Sequence, residues 1–251
     1  MIVDTHIHLY DEKYEKDFPK IIDDAFKKSV SKMVVVGFDF LSSQKAVQMA
    51  VNYPNLYASV GLHPSEVGKH LHEDLSWIKD LSKNPKVVAI GEIGLDYYWD
   101  KSFKELQQKQ FANQIDIANE LGLPIIVHNR EAANDTFQIL KQKKPRGVLH
   151  CYSGSVEMAR EFVKLGFYLG IGGVVTFKNS IDIKKVVTEI DLRFLLSETD
   201  GPYLAPTPYR GKINKPEYLP LVIDAIASLK GIAQIEVEKQ LFLNANYLFN
   251  I

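Results

Sequence analysis

The sequence predicts a single (β/α)8 barrel with a metal site at the C-terminal mouth of its strands. Three observations carry this. Eight short apolar β-forming segments follow one another, a helical pattern comes after each, and the histidines and acids gather at strand ends. Strict β/α alternation implies a parallel sheet with right-handed crossovers. Eight such units within 251 residues imply closure into a barrel. The competing arrangement is an open doubly wound sheet, but no Gly-rich phosphate turn follows the first strand.

The elements run in order. Met1 to Thr5 is a short apolar strand ending in His6. Tyr10 to Pro19 is polar and acidic and reads as a loop, and Lys20 to Lys28 places Ile21, Ile22, Ala25 and Phe26 at helical spacing. Met33 to Gly37 is the second strand, and Leu41 to Tyr53 is a helix closed by Pro54. Leu56 to Gly61 is the third strand, followed by His63, and Glu73 to Leu81 is a helix. The fourth strand starts at Val87 and ends at Glu92, which is framed by Gly91 and Gly94 and followed by Tyr97 and Tyr98. Lys101 to Leu121 is a long amphipathic helix capped by Gly122.

Pro124 to Val127 is a strand ending in His128, and Asp135 to Lys143 is helical. Gly147 to Leu149 is a strand ending in His150, and Val156 to Leu165 is a helix stopped by Gly166. Phe167 to Ile171 is the seventh strand and Ile181 to Ile190 its helix. Phe194 to Ser197 is the eighth strand and runs into Asp200; Pro220 to Leu229 and Ile235 to Tyr247 are the closing helices. No linker, low-complexity stretch or internal repeat interrupts residues 1–251, so one domain is expected.

At 46% hydrophobic and 24% charged, the chain has the composition of a soluble protein with a large core. A net charge of -1 excludes nucleic-acid attraction by a global field, so any polyanion contact comes from a local basic patch. The single cysteine, Cys151, forbids an internal disulfide and fits a reducing compartment. No basic leader with an apolar core opens the chain, and no apolar run reaches about 18 residues. A cytoplasmic address is expected, with no membrane contact and no feature that calls for an obligate protein partner.

An acid at the end of a buried strand is costly unless a partner neutralises it. Glu92 has candidate partners at other strand ends: His6, His8, His128, His150 and Asp200. In a barrel all of these face one mouth, where active sites lie. His-x-His on a strand puts both rings on one face, about 7 Å apart along the strand. Such a pair alone is equally a satisfied core pair, but convergence of these imidazoles and two carboxylates exceeds what packing needs. A ligand set without thiolate suits Zn2+, Mn2+ or Fe2+, with Mg2+ admissible when phosphate oxygens complete the sphere. Two clusters suggest two ions: His6, His8 and Asp200 for the first, His128 and His150 for the second, and Glu92 bridging. Two divalent ions clamp the attacking and leaving oxygens of a phosphoester and activate water. Asp200 is placed to take that water's proton.

Further residues concern substrate. His63 is read as a phosphate contact or proton donor, or as a loop hydrogen bond. Arg130 reads as a phosphate ligand or as an ion pair with Glu131 or Asp135. Lys178 and Arg210 add positive charge after strands seven and eight, where barrels often bind phosphate. Tyr97, Tyr98 and Trp99 offer stacking platforms for bases or an apolar lid. Glu198 shares a strand with Asp200 and supports the ligands; Asp4 either orients a histidine or caps the strand end. Cys151 reads as a small buried residue, and His70 and His72 as loop bystanders.

Several blocks resemble the TatD-type metal-dependent deoxyribonucleases. These are Asp4-Thr5-His6-Ile7-His8-Leu9, Gly61-Leu62-His63-Pro64, and Gly91-Glu92-Ile93-Gly94-Leu95-Asp96-Tyr97-Tyr98. Leu123 to His128, His150-Cys151-Tyr152-Ser153-Gly154-Ser155 and Glu198 to Pro206 continue the match in family order, over essentially the whole chain. The resemblance implies an amidohydrolase-type TIM barrel with divalent metals, and DNA hydrolysis, often 3′→5′ exonuclease action on single strands, in DNA repair or fragmentation. Carried over by position, it implies His6, His8, Glu92, His128, His150 and Asp200 as ligands, the same set reached from strand ends. Glu92 stands where some amidohydrolases carry a carbamylated lysine. The departures are Gly201, where the family commonly has another small residue, and Ile213 and Lys215 within Arg210 to Pro216. The alternative function on the same scaffold is amide, lactone or ester hydrolysis.

Overall fold

The computed structural model describes residues 1–70, 74–98 and 101–251. The expectations for Glu73 as a helix start, His72 as a bystander and Trp99 as a stacking platform lie outside those residues. Eight strands form one parallel sheet in sequence order: β1 (Ile2–Ile7), β2 (Val30–Val36), β3 (Leu56–Val60), β4 (Val87–Asp96), β5 (Ile125–Arg130), β6 (Gly147–Leu149), β7 (Tyr168–Ile171) and β8 (Leu195–Ser197). Closure between β8 and β1 is made just past the end of β8. The Asp200 N–H donates to the His6 carbonyl at 2.9 Å, the His8 N–H donates to the Gly201 carbonyl at 2.8 Å, and Ile7 bridges to Gly201. The predicted (β/α)8 barrel is therefore the observed fold.

The helices are α1 (Glu12–Glu15), α2 (Phe18–Lys27), α3 (Phe40–Asn52), α4 (Ser76–Leu81) and α5 (Lys104–Leu121), then α6 (Ala133–Lys143), α7 (Val156–Lys164), α8 (Ile181–Glu189), α9 (Leu219–Lys230) and α10 (Gln234–Phe249). Two expectations fail before β2. Tyr10 to Pro19 is not all loop: Asp11 accepts from the Lys13 N–H and caps α1, and Pro19 sits in the first turn of α2, where its missing N–H costs nothing. β2 also starts at Val30, earlier than the apolar run suggested, because Ser31 and Lys32 pair with β1 at a half-buried edge.

Two packed layers result. The larger apolar cluster fills the space between strands and helices, with Ile7, Met33, Ile93, Phe111 and Phe162 fully buried. The smaller one joins Val3, Val34, Val36, Val88, Ile126, Val148 and Leu196 with Leu248 and Phe249 of α10. Side chains from six strands meet in one place only inside a barrel, so this cluster is the barrel's interior plug. Polar ligand side chains occupy the other end. No single helix among the described residues is long and apolar enough to cross a membrane.

Candidate metal centre

The centre is built where two strands lose their regular pairing. β1 shifts register against β2 between Asp4 and Ile7, and β4 shifts against β5 between Ile90 and Ile93. An irregularity of this kind bends the strand and re-aims a side chain. Here the two shifts contain His6 and Glu92. Glu92 is thus not the end of its strand, as expected, but the sixth of ten buried residues in β4. The strand continues because β5 does: Gly94, Leu95 and Asp96 pair with His128, Asn129 and Arg130. Gly94 makes this possible. Its φ is +146°, and a Cβ there would collide with the His128 carbonyl.

Around Glu92 Oε2 stand His6, His8 and Asp200. His6 Nε2 is 3.5 Å from Oε2 and 3.7 Å from Asp200 Oδ1. His8 Nε2 is 3.9 Å from Oε2, 3.7 Å from Oδ1 and 3.3 Å from His6 Nε2. A tetrahedron of ligands about 2.1 Å from a metal has edges of about 3.4 Å. The five separations therefore have the size of a coordination polyhedron, not of a hydrogen-bonded network. Around Glu92 Oε1 stand His150 Nε2 at 2.8 Å, His128 Nδ1 at 2.9 Å and His63 Nε2 at 3.4 Å. The donor set and its spacing fit divalent ions on both sides of one carboxylate.

The outer nitrogens of two rings are held. His8 Nδ1 faces the Val36 carbonyl at 2.8 Å, and the Tyr10 hydroxyl donates to the same carbonyl at 2.7 Å. His128 Nε2 lies 2.9 Å from Asp96 Oδ2, and Asp96 is itself anchored to Gln107. Such partners fix ring orientation and raise ligand basicity. Asp96 was quoted in the sequence only within a motif. Its signal was the strand period: residues 92, 94 and 96 share a face once β4 is read through to Asp96.

The electrostatics are those of a crowded polar cluster without its cations. Burial pushes the Glu92 carboxyl up, but His150 and His63 outweigh it and hold the group well below its ordinary value. Burial, and after it the neighbouring imidazoles, push the His6 and His8 imidazoles down against the pull of Glu92. At His150 burial also pushes down, yet the Glu92 and Glu198 carboxylates win and hold the imidazole well above its usual range. Burial raises Asp200 to about 7.

The structure relocates several predicted residues. His63, read from the sequence as a substrate contact or a loop hydrogen bond, stands against the main cluster: its ring faces Glu92, while Nδ1 accepts from the Ser65 N–H at 3.1 Å. Tyr97 is no stacking platform; it is 6% exposed, donates to Asp135 Oδ2 at 3.0 Å and accepts from Gln108. Arg130 stacks on Tyr98 at 3.8 Å, and Asp135 is paired with Lys104. Arg210 stacks on Phe177 at 4.5 Å. Arg130, Lys178, Arg210 and Tyr97 do not line the central cleft of about 340 Å3. His8, His63, Glu92, His128, His150 and Asp200 do, with Tyr10, Asp11, Phe38, Ser65, Glu66 and Tyr203, which sequence reasoning had not placed there. Asp4 orients no ring; buried, and raised to about 7 by that burial, it accepts from the Thr199 N–H at 2.9 Å and ties β1 to the segment carrying Asp200. Cys151 is half-buried and its thiol is held well above its usual range by burial, so it behaves as packing.

The two departures have structural readings. A Cβ on Gly201 would collide with the Tyr14 hydroxyl, which donates to the Asn214 carbonyl at 2.5 Å. Asn214 is fully buried and donates to the Thr199 carbonyl at 2.7 Å, so the Arg210 to Pro216 stretch braces the Asp200 loop.

A parallel eight-stranded barrel with histidines and carboxylates converging at its mouth is the architecture of a metal-dependent hydrolase. The model of the family described as TatD related DNase matches residues 3–250, and the chain belongs to that family. It is similar to YabD of Bacillus subtilis, described as an uncharacterized metal-dependent hydrolase, with 47% identity over the full length of both chains. YcfH of Escherichia coli, with the same description, is 36% identical over 100% of this chain and 96% of its own. The crystal structure of YjjV, a TatD homolog from Escherichia coli, superposes with a TM-score of 0.95 at 31% identity, covering 100% of this chain and 98% of that one.

Proposed function

We propose that this hydrolase cleaves DNA phosphodiester bonds, as a 3′→5′ exodeoxyribonuclease on single strands, with two divalent ions (Mg2+, Mn2+ or Zn2+). The observation that carries the reading is Glu92: each of its oxygens faces its own cluster of ligand atoms. His6, His8, Asp200 and Glu92 would hold one ion, and His128, His150 and Glu92 would hold the other. Divalent ions held there would supply Lewis acidity towards a phosphoryl oxygen and would lower the pKa of bound water. The Asp200 carboxylate, which lines the cleft, would take the proton of the attacking water. His63 Nδ1 accepts from Ser65, which leaves a proton on Nε2 facing the cleft, placed to donate to a phosphate oxygen. Around the mouth, Lys13 lies over Tyr203, Arg130 over Tyr98 and Arg210 over Phe177. Cations paired with rings suit a strand that offers phosphates and bases together.

The test is degradation of single-stranded DNA labelled at either end. Loss of label from the 3′ end with Mg2+ or Mn2+, stopped by chelator, is expected, and Glu92→Ala and Asp200→Ala abolish it while the protein stays folded. Wild-type turnover in both variants sinks the mechanism. One observation favours amide, lactone or ester hydrolysis as a second reading: the cleft has Asp11 and Glu66 on its wall and, among the described residues, no lysine or arginine. Cleavage of such substrates without any nuclease activity decides for it.

A further inference from the structure

Behind the metal-facing nitrogens lies a second constellation that the hydrolytic reading does not use. His6 and His150 stack face to face, with ring centroids 3.9 Å apart and planes inclined by 14°. Their Nε2 atoms both face Glu92, one on each side of it. Their Nδ1 atoms face away, are buried, and find no hydrogen-bond partner among the described residues; Glu198 Oε2 is buried and unpartnered in the same way. A nitrogen from each ring and an oxygen of Glu198 lie within 4.8 Å of one another.

The Glu198 carboxylate is already engaged through Oε1. Its Oε1 accepts the Cys151 N–H, and its distance to His150 Nδ1 is 3.5 Å. Oε2 lies flat against β7 at Gly170, where a Cβ would collide with it. Glu198 is 1% exposed, so bulk solvent does not solvate it. Buried polar atoms left unpaired lose their hydration with nothing in return.

We propose that His6 Nδ1, His150 Nδ1 and Glu198 Oε2 form a binding site for one buried water molecule, which makes Glu198 the common anchor of both metal clusters. One nitrogen of each ring and one oxygen of Glu198 lie within 4.8 Å of one another, and three atoms so spaced share a point about 2.8 Å from each, the length of a hydrogen bond and longer than a metal–ligand bond. The proton inventory selects water over a third cation. A neutral imidazole that ligates through Nε2 carries its proton on Nδ1, so both rings present donors. A cation would require both rings to lose that second proton. Water accepts two N–H bonds and donates one O–H to Oε2, within the usual number of partners for a buried water. Asp96 and the Val36 carbonyl each steady one ring; Glu198, through this water, steadies one ring from each cluster.

The inference rests on the two-ion reading, and the experiment separates the two. The wild-type protein loaded with Mn2+ is crystallised and examined at high resolution with anomalous scattering, and Mn2+ binding is titrated in wild type, Glu198→Gln and Asp96→Asn. One ordered water within hydrogen-bond reach of His6 Nδ1, His150 Nδ1 and Glu198 Oε2, without anomalous signal, is expected. Glu198→Gln should weaken both Mn2+ ions by about 10- to 100-fold, whereas Asp96→Asn weakens only the ion held by His128. An anomalous peak at the water position, a direct carboxylate–imidazole bond in its place, or an unchanged affinity for the ion held by His6 overturns the proposal. Binding of a single Mn2+ overturns the two-ion reading instead, and the density at this position still decides whether water is there.

Discussion

Glu92 is a carboxylate in the middle of a buried strand, surrounded by the rings of His6, His8, His63, His128 and His150. Burial raises the Asp200 carboxyl to about 7, and the carboxylates around His150 hold its imidazole well above the usual range against the effect of burial. Metal and proton therefore compete for the same atoms. The sign follows directly: a ligand whose proton is held more tightly than usual gives up the metal as pH falls through that raised pKa. Mn2+ affinity should be nearly constant above about pH 8 and fall by roughly tenfold per pH unit for each proton displaced below about 7. Calorimetry in buffers of different ionisation enthalpy would show proton release at pH 6. Affinity that is flat from pH 8 to pH 5.5, with no proton release, would contradict this reading of Asp200 and His150.

At the scale of elements, the ligands owe their positions to irregular pairing in β1 and β4 and to the close approach of β4 and β5 at Gly94. Gly94→Ala should force β5 outward at His128, costing roughly 1–3 kcal/mol and weakening the ion on the Oε1 side more than the other. Denaturant unfolding of the metal-free protein and Mn2+ titration check both parts; a variant as stable as the parent with both affinities intact would show that the strands have room there. The same elements mark what could be read beforehand. Alternating apolar segments and helical spacing were enough for the barrel, and His6, His8, His128, His150 and Asp200 were legible because barrel strands aim their ends at one mouth. Glu92 was placed one structural step early, since a register shift leaves no period in the sequence. Tyr97 was misread because an aromatic after a strand looks the same whether it faces solvent or packs under Gln108 and Asp135. Asn214 and Tyr14, 200 residues apart, meet only through closure of the barrel.

Over the whole molecule, net charge is close to zero and no global field draws in a polyanion. On the proposed nuclease reading, attraction for DNA falls to the cations stacked on Tyr203, Tyr98 and Phe177, outside an acidic cleft. Removing two of them in Lys13→Ala/Arg210→Ala should weaken single-stranded DNA binding and lower the slope of log affinity against log salt by about 1 to 2. Hydrolysis of a small uncharged-tail phosphodiester should be unaffected. An unchanged salt slope would place the strand elsewhere.

The centre of the proposed mechanism is a carboxylate shared between two ions, and the most direct measurement is anomalous diffraction from crystals of the wild-type protein soaked in Mn2+. Two peaks about 3.5–4 Å apart, one beside Glu92 Oε2 with His6, His8 and Asp200 and one beside Oε1 with His128 and His150, are the predicted result. A single peak, or two peaks of which one lacks Glu92 as a ligand, would contradict it.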